Sequence, residues 1–154
     1  MCGINIIIGL QDAQLAKNTL AEMNAAMAHR GPDNDGIFVD GTVALGHRRL
    51  SIIDLSAAGN QPMSGCEGRY QIVYNGEFYN YQEVKNKLLA LANSYSFKFG
   101  SDTEVILAAY HTWGVNCLQH INGMFAFAIY DAVKKELFIA RDRMGIKPLY
   151  FYQN

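Results

Sequence analysis

Residue 2 is a cysteine directly behind the initiator, in Met1-Cys2-Gly3-Ile4. A side chain this small permits removal of Met1, which would leave a free α-amine and a thiol on one residue. An α-amine has a reference pKa of about 7.7–8.0, so it can act as base for its own thiol. Other nucleophiles need a histidine brought from elsewhere; this one carries its base covalently. Met-Cys alone is more simply read as an ordinary cysteine in a buried strand.

Three further groups bear on that choice. Asn75-Gly76-Glu77 offers a side-chain amide and a flexible backbone N–H at one strand end, two neutral donors of the kind a tetrahedral oxyanion needs. Arg48 and Arg49 put a guanidinium beside the apolar run Leu50-Ser51-Ile52-Ile53, where it can clamp a carboxylate in bidentate fashion. Asp102 stands in the first turn of a capped helix, suited either to holding an ammonium ion or to complementing the helix dipole. Taken singly, an ordinary turn, a surface ion pair and a dipole contact account for them.

The elements that must position these residues follow from periodicity. Ile4, Ile6 and Ile8 alternate between Gly3 and Gly9 and predict a buried strand; Ala16, Leu20, Met23 and Met27 fall at helical spacing up to the Arg30-Gly31-Pro32-Asp33 turn. Val43, Leu45 and His47 predict a second strand continuing through Leu50 to Ile53, and Tyr70 to Tyr74 a third that ends at Asn75-Gly76. Val84, Leu88 and Leu91 mark a helix. Ser101-Asp102-Thr103-Glu104 is a capping box opening another, which carries Val105, Ile106, Ala109, Tyr110 and Trp113 on one side and stops at Gly114. Met124 to Tyr130 and Leu137 to Ala140 are apolar on both faces, and Leu149 to Tyr152 reads as a last strand. Strands covered on both faces with helices interspersed predict a multilayer α+β sandwich.

Composition bounds the rest. The 154 residues suffice for one domain, half are hydrophobic, and 13 Lys and Arg against 14 Asp and Glu leave a net charge of −1. No basic stripe is left over for nucleic acid. The early apolar run, broken by Asn5 and Gly9, is too short for a membrane span or a signal segment. Cys2, Cys66 and Cys117 are odd in number and lack any CxxC pair, so a cytoplasmic chain with reduced thiols is expected. His29, His47, His111 and His120 share no metal-ligand spacing, and no metal site is expected.

Read in order, the motifs are far more specific than any one of them. Met-Cys-Gly-Ile is followed by His29-Arg30-Gly31-Pro32-Asp33, Gly46-His47-Arg48-Arg49-Leu50-Ser51-Ile52-Ile53-Asp54, Asn60-Gln61-Pro62 and Tyr74-Asn75-Gly76-Glu77. Gly100-Ser101-Asp102-Thr103-Glu104, Gly123-Met124-Phe125-Ala126-Phe127 and Arg141-Asp142-Arg143-Met144-Gly145-Ile146-Lys147-Pro148-Leu149 complete the series. Over essentially its whole length the chain resembles the glutaminase domain of the asparagine synthetases, a class II glutamine amidotransferase. The His-Arg-Gly-Pro-Asp and Arg-Leu-Ser-Ile-x-Asp runs resemble that branch more than the phosphoribosyl or glucosamine branches.

The resemblance implies one glutaminase domain over residues 1–154, an αββα sandwich of the N-terminal-nucleophile hydrolase type, with L-glutamine as substrate. It implies Cys2 as nucleophile, with the Asn75 side chain and the Gly76 N–H as oxyanion hole. Arg49 would bind the substrate α-carboxylate with Leu50, Ser51, Ile52 and Ile53 alongside. Asp102, with Glu77 nearby, would bind the α-ammonium. Glutamine is a zwitterion, and one cation and one anion suit it.

Asparagine synthetases continue into an ATP-using domain with a Ser-Gly-Gly-x-Asp-Ser type loop. Ser64-Gly65-Cys66 does not match it, so ATP and magnesium are expected only in a synthetase domain that lies outside this sequence. The family's glutaminase domain also extends past the equivalent of Asn154, which implies C-terminal truncation. The expected function is hydrolysis of glutamine to glutamate and ammonia, natively feeding asparagine formation. The alternatives are a non-catalytic glutamine-binding or interaction module and the glutaminase of another class II amidotransferase. A homodimer stays open.

Overall fold

The computed structural model describes residues 1–51, 57–91, 95–98 and 100–153. Its elements in chain order are β1 (Gly3–Ile8), α1 (Ala13–Ala26), β2 (Asn34–Asp40), β3 (Val43–Arg49), β4 (Met63–Gly65), β5 (Tyr70–Phe78), α2 (Tyr81–Ala90), α3 (Asp102–Trp113), β6 (Gly123–Asp131) and β7 (Glu136–Arg141). Short 3-10 turns occupy Ala28–Arg30, Ala57–Gly59 and Gly114–Gln119. The strands form two antiparallel sheets, one in the order β1-β3-β2 and one in the order β4-β5-β6-β7.

Three apolar layers hold this stack together. Ala16 and Leu20 of α1 meet Ala44, Ile7 and Ile37 on the outer face of the three-stranded sheet. Val43 and Leu45 meet Val73, Ala128 and Tyr130 between the sheets, with Ile4 and Ile6 alongside. Ile72, Tyr74, Phe127 and Ile129 on the far face of the second sheet meet Val84, Leu88, Val105 and Ile106 of α2 and α3. Each fully buried Leu, Ile or Phe contributes about 1.5–3 kcal/mol relative to exposure. The result is the expected four-layer αββα sandwich in an α+β fold.

The helices start where their caps dictate. Asp12 Oδ1 accepts from the Gln14 and Leu15 N–H groups, both at 2.9 Å, and opens α1. Ser101 Oγ accepts from the Glu104 N–H at 3.3 Å and opens α3, while Glu104 Oε1 is anchored on the Lys98 N–H at 2.7 Å. Helix α3 is buried on more than the expected side: every residue from Thr103 to Tyr110 is buried, Leu107 and Ala108 included. It packs on β4 and β5 of the second sheet and against α2 at its side, so more than one of its faces is covered.

Several expectations need correction. Asn75-Gly76 does not end a strand; β5 runs on to Phe78, each residue paired with β6. The glycine is there for close approach, since a Cβ at Gly76 would lie 2.4 Å from the Met124 carbonyl oxygen. Strand β2 carries no strand period in the sequence, because Asp35, Gly36 and Asp40 interrupt its apolar residues. β3 stops at Arg49, so Leu50 and Ser51 lie beyond it, and the continuation through Ile52 and Ile53 falls outside the described residues. Leu149 to Tyr152 is not a strand, and Tyr150, Phe151 and Tyr152 are exposed. In β1 the fully inward polar residue is Asn5, whose Nδ2 donates to Asn24 Oδ1 at 2.8 Å, while Ile8 is exposed at the strand end.

Candidate active site

Alternation along three strands delivers side chains to one end of the space between the sheets. Ile4 and Ile6 point into that space, so Cys2, two residues earlier, takes the same side. Val43 and Leu45 set the same parity for His47 and Arg49 on β3, and Val73 sets it for Asn75 on β5. The register opposes Gly3 to Arg48, which brings the start of β1 to the end of β3. His47 Nε2 lies 3.2 Å from the Tyr74 carbonyl oxygen and ties that end of β3 to β5, one residue before Asn75. The structure thus gathers Cys2, Arg49 and Asn75 around the His47–Tyr74 contact.

Cys2 is half-buried, and its Sγ accepts from the Leu50 N–H at 3.5 Å and lies 3.9 Å from the Leu50 carbonyl oxygen. Arg30 Nε donates to the Cys2 carbonyl oxygen at 3.3 Å and fixes the backbone there. Ser51 is held by its N–H, which donates to Asp33 Oδ2 at 2.7 Å. The 51–53 run is therefore placed at its first residue only; Ile52 and Ile53 lie outside the described residues.

The outer edge of β5 carries the donors. Phe125 exchanges hydrogen bonds with Asp142, its N–H at 3.2 Å from Oδ2 and its carbonyl oxygen at 2.8 Å from the Asp142 N–H. Its backbone groups therefore face away from β5, which makes Gly76 and Phe125 a non-hydrogen-bonded pair. The Tyr74, Gly76 and Phe78 N–H groups must then point out of the same edge. Tyr74 N–H donates to Gln61 Oε1 at 2.6 Å and Phe78 N–H to Asp102 Oδ2 at 3.3 Å. The Gly76 N–H sits between these two occupied neighbours. Among the described residues the Asn75 amide has no hydrogen-bond partner, although the residue is only 6% exposed.

The two charges differ in their setting. Arg49, 7% exposed, donates from Nη1 to Asn60 Oδ1 at 2.8 Å and packs against Gly59. Arg48 points to the α1 face, donating to the Gly31 carbonyl oxygen at 2.8 Å and facing Asp35 at 3.4 Å, so only Arg49 of the pair reaches the site. Asp102 accepts from the Tyr74 hydroxyl at 3.0 Å, the Phe78 N–H and the Thr103 N–H. Burial pushes its carboxyl above the ordinary range, and these three donors offset only part of that rise. Glu77 is exposed, at the rim. Burial likewise drives the Tyr74 phenol far above its usual range, with Asp102 adding to the effect, so it stays a neutral donor.

Sequence reasoning passed over four contributors: His47, Gln61, Asn60 and Tyr74. Asn60 and Gln61 stood inside a motif without a role, and Tyr74 and His47 sat in strands where an apolar or core reading sufficed. Among the described residues no group of three or more His, Cys, Asp or Glu side chains is arranged to hold a metal ion. No helix of the described residues is long and apolar enough to cross a membrane.

Comparison with known proteins places the chain in a family. Asparagine synthetase [glutamine-hydrolyzing] 3 of Bacillus subtilis is 38% identical over 98% of this chain and 25% of its own length. Asparagine synthetase B of Escherichia coli is 40% identical over 97% of this chain and 26% of its own. The chain therefore spans about a quarter of the length of either relative. In fold it matches the glutamine phosphoribosylpyrophosphate amidotransferase of B. subtilis, with a TM-score of 0.74 at 22% identity over 96% of this chain and 38% of that one. The family profile for the glutamine amidotransferase domain matches residues 1–154, and the chain belongs to that family.

Proposed function

We propose that this chain hydrolyses the side-chain amide of L-glutamine to glutamate and ammonia through a thioester on Cys2. The observation that carries the reading is the convergence of Cys2, the free Asn75 amide and the Gly76 N–H edge at one end of the inter-sheet space. Arg49 and Asp102 supply opposite charges around it, as a zwitterionic substrate requires.

With Met1 removed, the Cys2 α-amine takes the thiol proton as Sγ adds to the amide carbon. The oxyanion so formed is met by the Asn75 Nδ2–H and the Gly76 N–H. Collapse breaks the C–N bond, and the α-ammonium returns its proton to the leaving ammonia. Water then gives a proton to the same amine as it attacks the thioester, and the thiol leaves with that proton. Arg49 holds the α-carboxylate and Asp102 the α-ammonium, Tyr74 steadying the latter. Ammonia released here would natively serve ATP-dependent asparagine formation in a region fused C-terminally, which is what the names of the relatives suggest.

The test is glutamate release by full-length chain whose intact mass shows Met1 removed, measured beside Cys2→Ala. Release should be abolished in the variant while glutamine binding persists. Equal release from the two would overturn the proposal.

A further inference from the structure

Lys147 is buried, 6% exposed, yet its Nζ meets a thioether: the distance to Met1 Sδ is 3.2 Å. Among the described residues no carboxylate pairs with it. A thioether is a weak acceptor, so desolvating an ammonium against one is unfavourable. Such a placement calls for a reason outside packing.

The loop around Lys147 is built to hold it there. Asp142 Oδ2 accepts from the Lys147 N–H at 2.9 Å and Asp142 Oδ1 from the Ile146 N–H at 2.9 Å, while Arg141 Nε donates to the Lys147 carbonyl oxygen at 2.7 Å. The same Asp142 carboxylate takes the Phe125 N–H, and Phe125 stands opposite Gly76. Burial raises the Asp142 carboxyl, but the N–H groups of Lys147, Ile146 and Phe125 outweigh it and hold the group ionised below the usual range. One carboxylate thus locks both the strand beside the oxyanion edge and the loop that sends Nζ to the chain's N-terminus.

We propose that Lys147 is a positioning residue for the nucleophile: once Met1 is gone, its ammonium faces the new terminus and favours the neutral amine and the thiolate of Cys2. The inference rests on the reading of Cys2 as nucleophile. Other charges face this end from every neighbouring element. Arg30 donates to the Cys2 carbonyl oxygen, Arg49 comes from β3, Asp33 precedes β2, Glu77 sits on β5 and Asp102 on α3. His47 and Tyr74 are neutral. Lys147 is the cation aimed at the residue before Cys2.

The experiment follows the rate of iodoacetamide alkylation of Cys2 against pH, by peptide mass, on full-length Met-free chain. A neighbouring opposite charge lowers the midpoint of an acid such as a thiol by about one pH unit or more. Lys147→Met should therefore raise the midpoint by about one unit, and Lys147→Arg should restore it. Cys117, fully buried, reports folding in the same spectrum, and Lys147→Gln replaces Lys147→Met where Cys117 becomes alkylated. A midpoint unchanged in the folded neutral variant overturns the inference. Glutamate release from the same samples separates the two readings. A lysine-dependent midpoint without glutamate sinks the glutaminase and leaves Lys147 standing; glutamate release with an unmoved midpoint does the reverse.

Discussion

The Tyr74 hydroxyl donates to Asp102 Oδ2 across 3.0 Å, joining β5 to the first turn of α3 at the point where both reach the substrate end. The bond steadies a carboxylate whose burial otherwise favours its protonation. A hydrogen bond to a charged group is worth about 1.5–3 kcal/mol. Tyr74→Phe should therefore raise the KM for glutamine about tenfold with kcat within about twofold. Because the Asp102 carboxyl lies above the ordinary range, glutamine binding to Cys2→Ala should begin to weaken on acidification at a higher pH than a normal aspartate would allow. Calorimetric titration of glutamine against pH checks this, and Asp102→Asn should flatten the profile.

His47 makes the stability of the fold pH-dependent. Burial first, and the Arg49 charge after it, lower its imidazole from 6.5 to about 4 despite the bond to the Tyr74 carbonyl. Its Nδ1 is buried without a partner among the described residues, so protonation would add a donor with nothing there to meet. The unfolded chain binds this proton first; stability is full above 6.5 and is lost as pH falls towards 4. The loss should reach about 3 kcal/mol. Denaturant melts across this window should show it, and the difference between wild type and His47→Gln isolates it from the carboxylates.

Asn75→Ala removes a donor from the oxyanion edge and leaves β5 paired with β6. Loss of one such donor costs about 10²–10³ in kcat. A loss under about threefold, with unchanged thermal stability, would take Asn75 out of that role.

Gly59 matters through Arg49. A Cβ at Gly59 would lie 2.2 Å from Arg49 Nη2, so Gly59→Ala must push the guanidinium off its place beside Asn60. The KM for glutamine should rise about tenfold, the cost of loosening one charged hydrogen bond, with kcat much less affected. Steady-state kinetics of the variant decide it.

The layers of the fold were legible because Ala16, Leu20, Val43 and Leu45 keep strict helical or strand periods and bury accordingly. What stayed hidden has physical causes. Asn75-Gly76 carries turn chemistry in its own residues, but pairing with Ala126 and Phe125 overrides it. Leu149 to Tyr152 has strand composition, yet composition does not supply a neighbour to pair with. Asn5 reads as an interruption of an isoleucine run until Asn24, far along the chain, provides its partner. Cys2, Arg49, Asn75 and Asp102 are the candidates that residue type and motif single out. Their supports Tyr74, His47, Gln61 and Lys147 act through contacts whose sequence separation leaves no local signal.

Glutamine hydrolysis by this chain requires that Cys2 be acylated by glutamine. Acid quenching of Met-free protein during turnover, followed by mass analysis of the N-terminal peptide, tests this most directly. A γ-glutamyl adduct on Cys2 that accumulates with glutamine and is absent from Cys2→Ala is the predicted result. Glutamate release at full rate from the Cys2→Ala chain would contradict it.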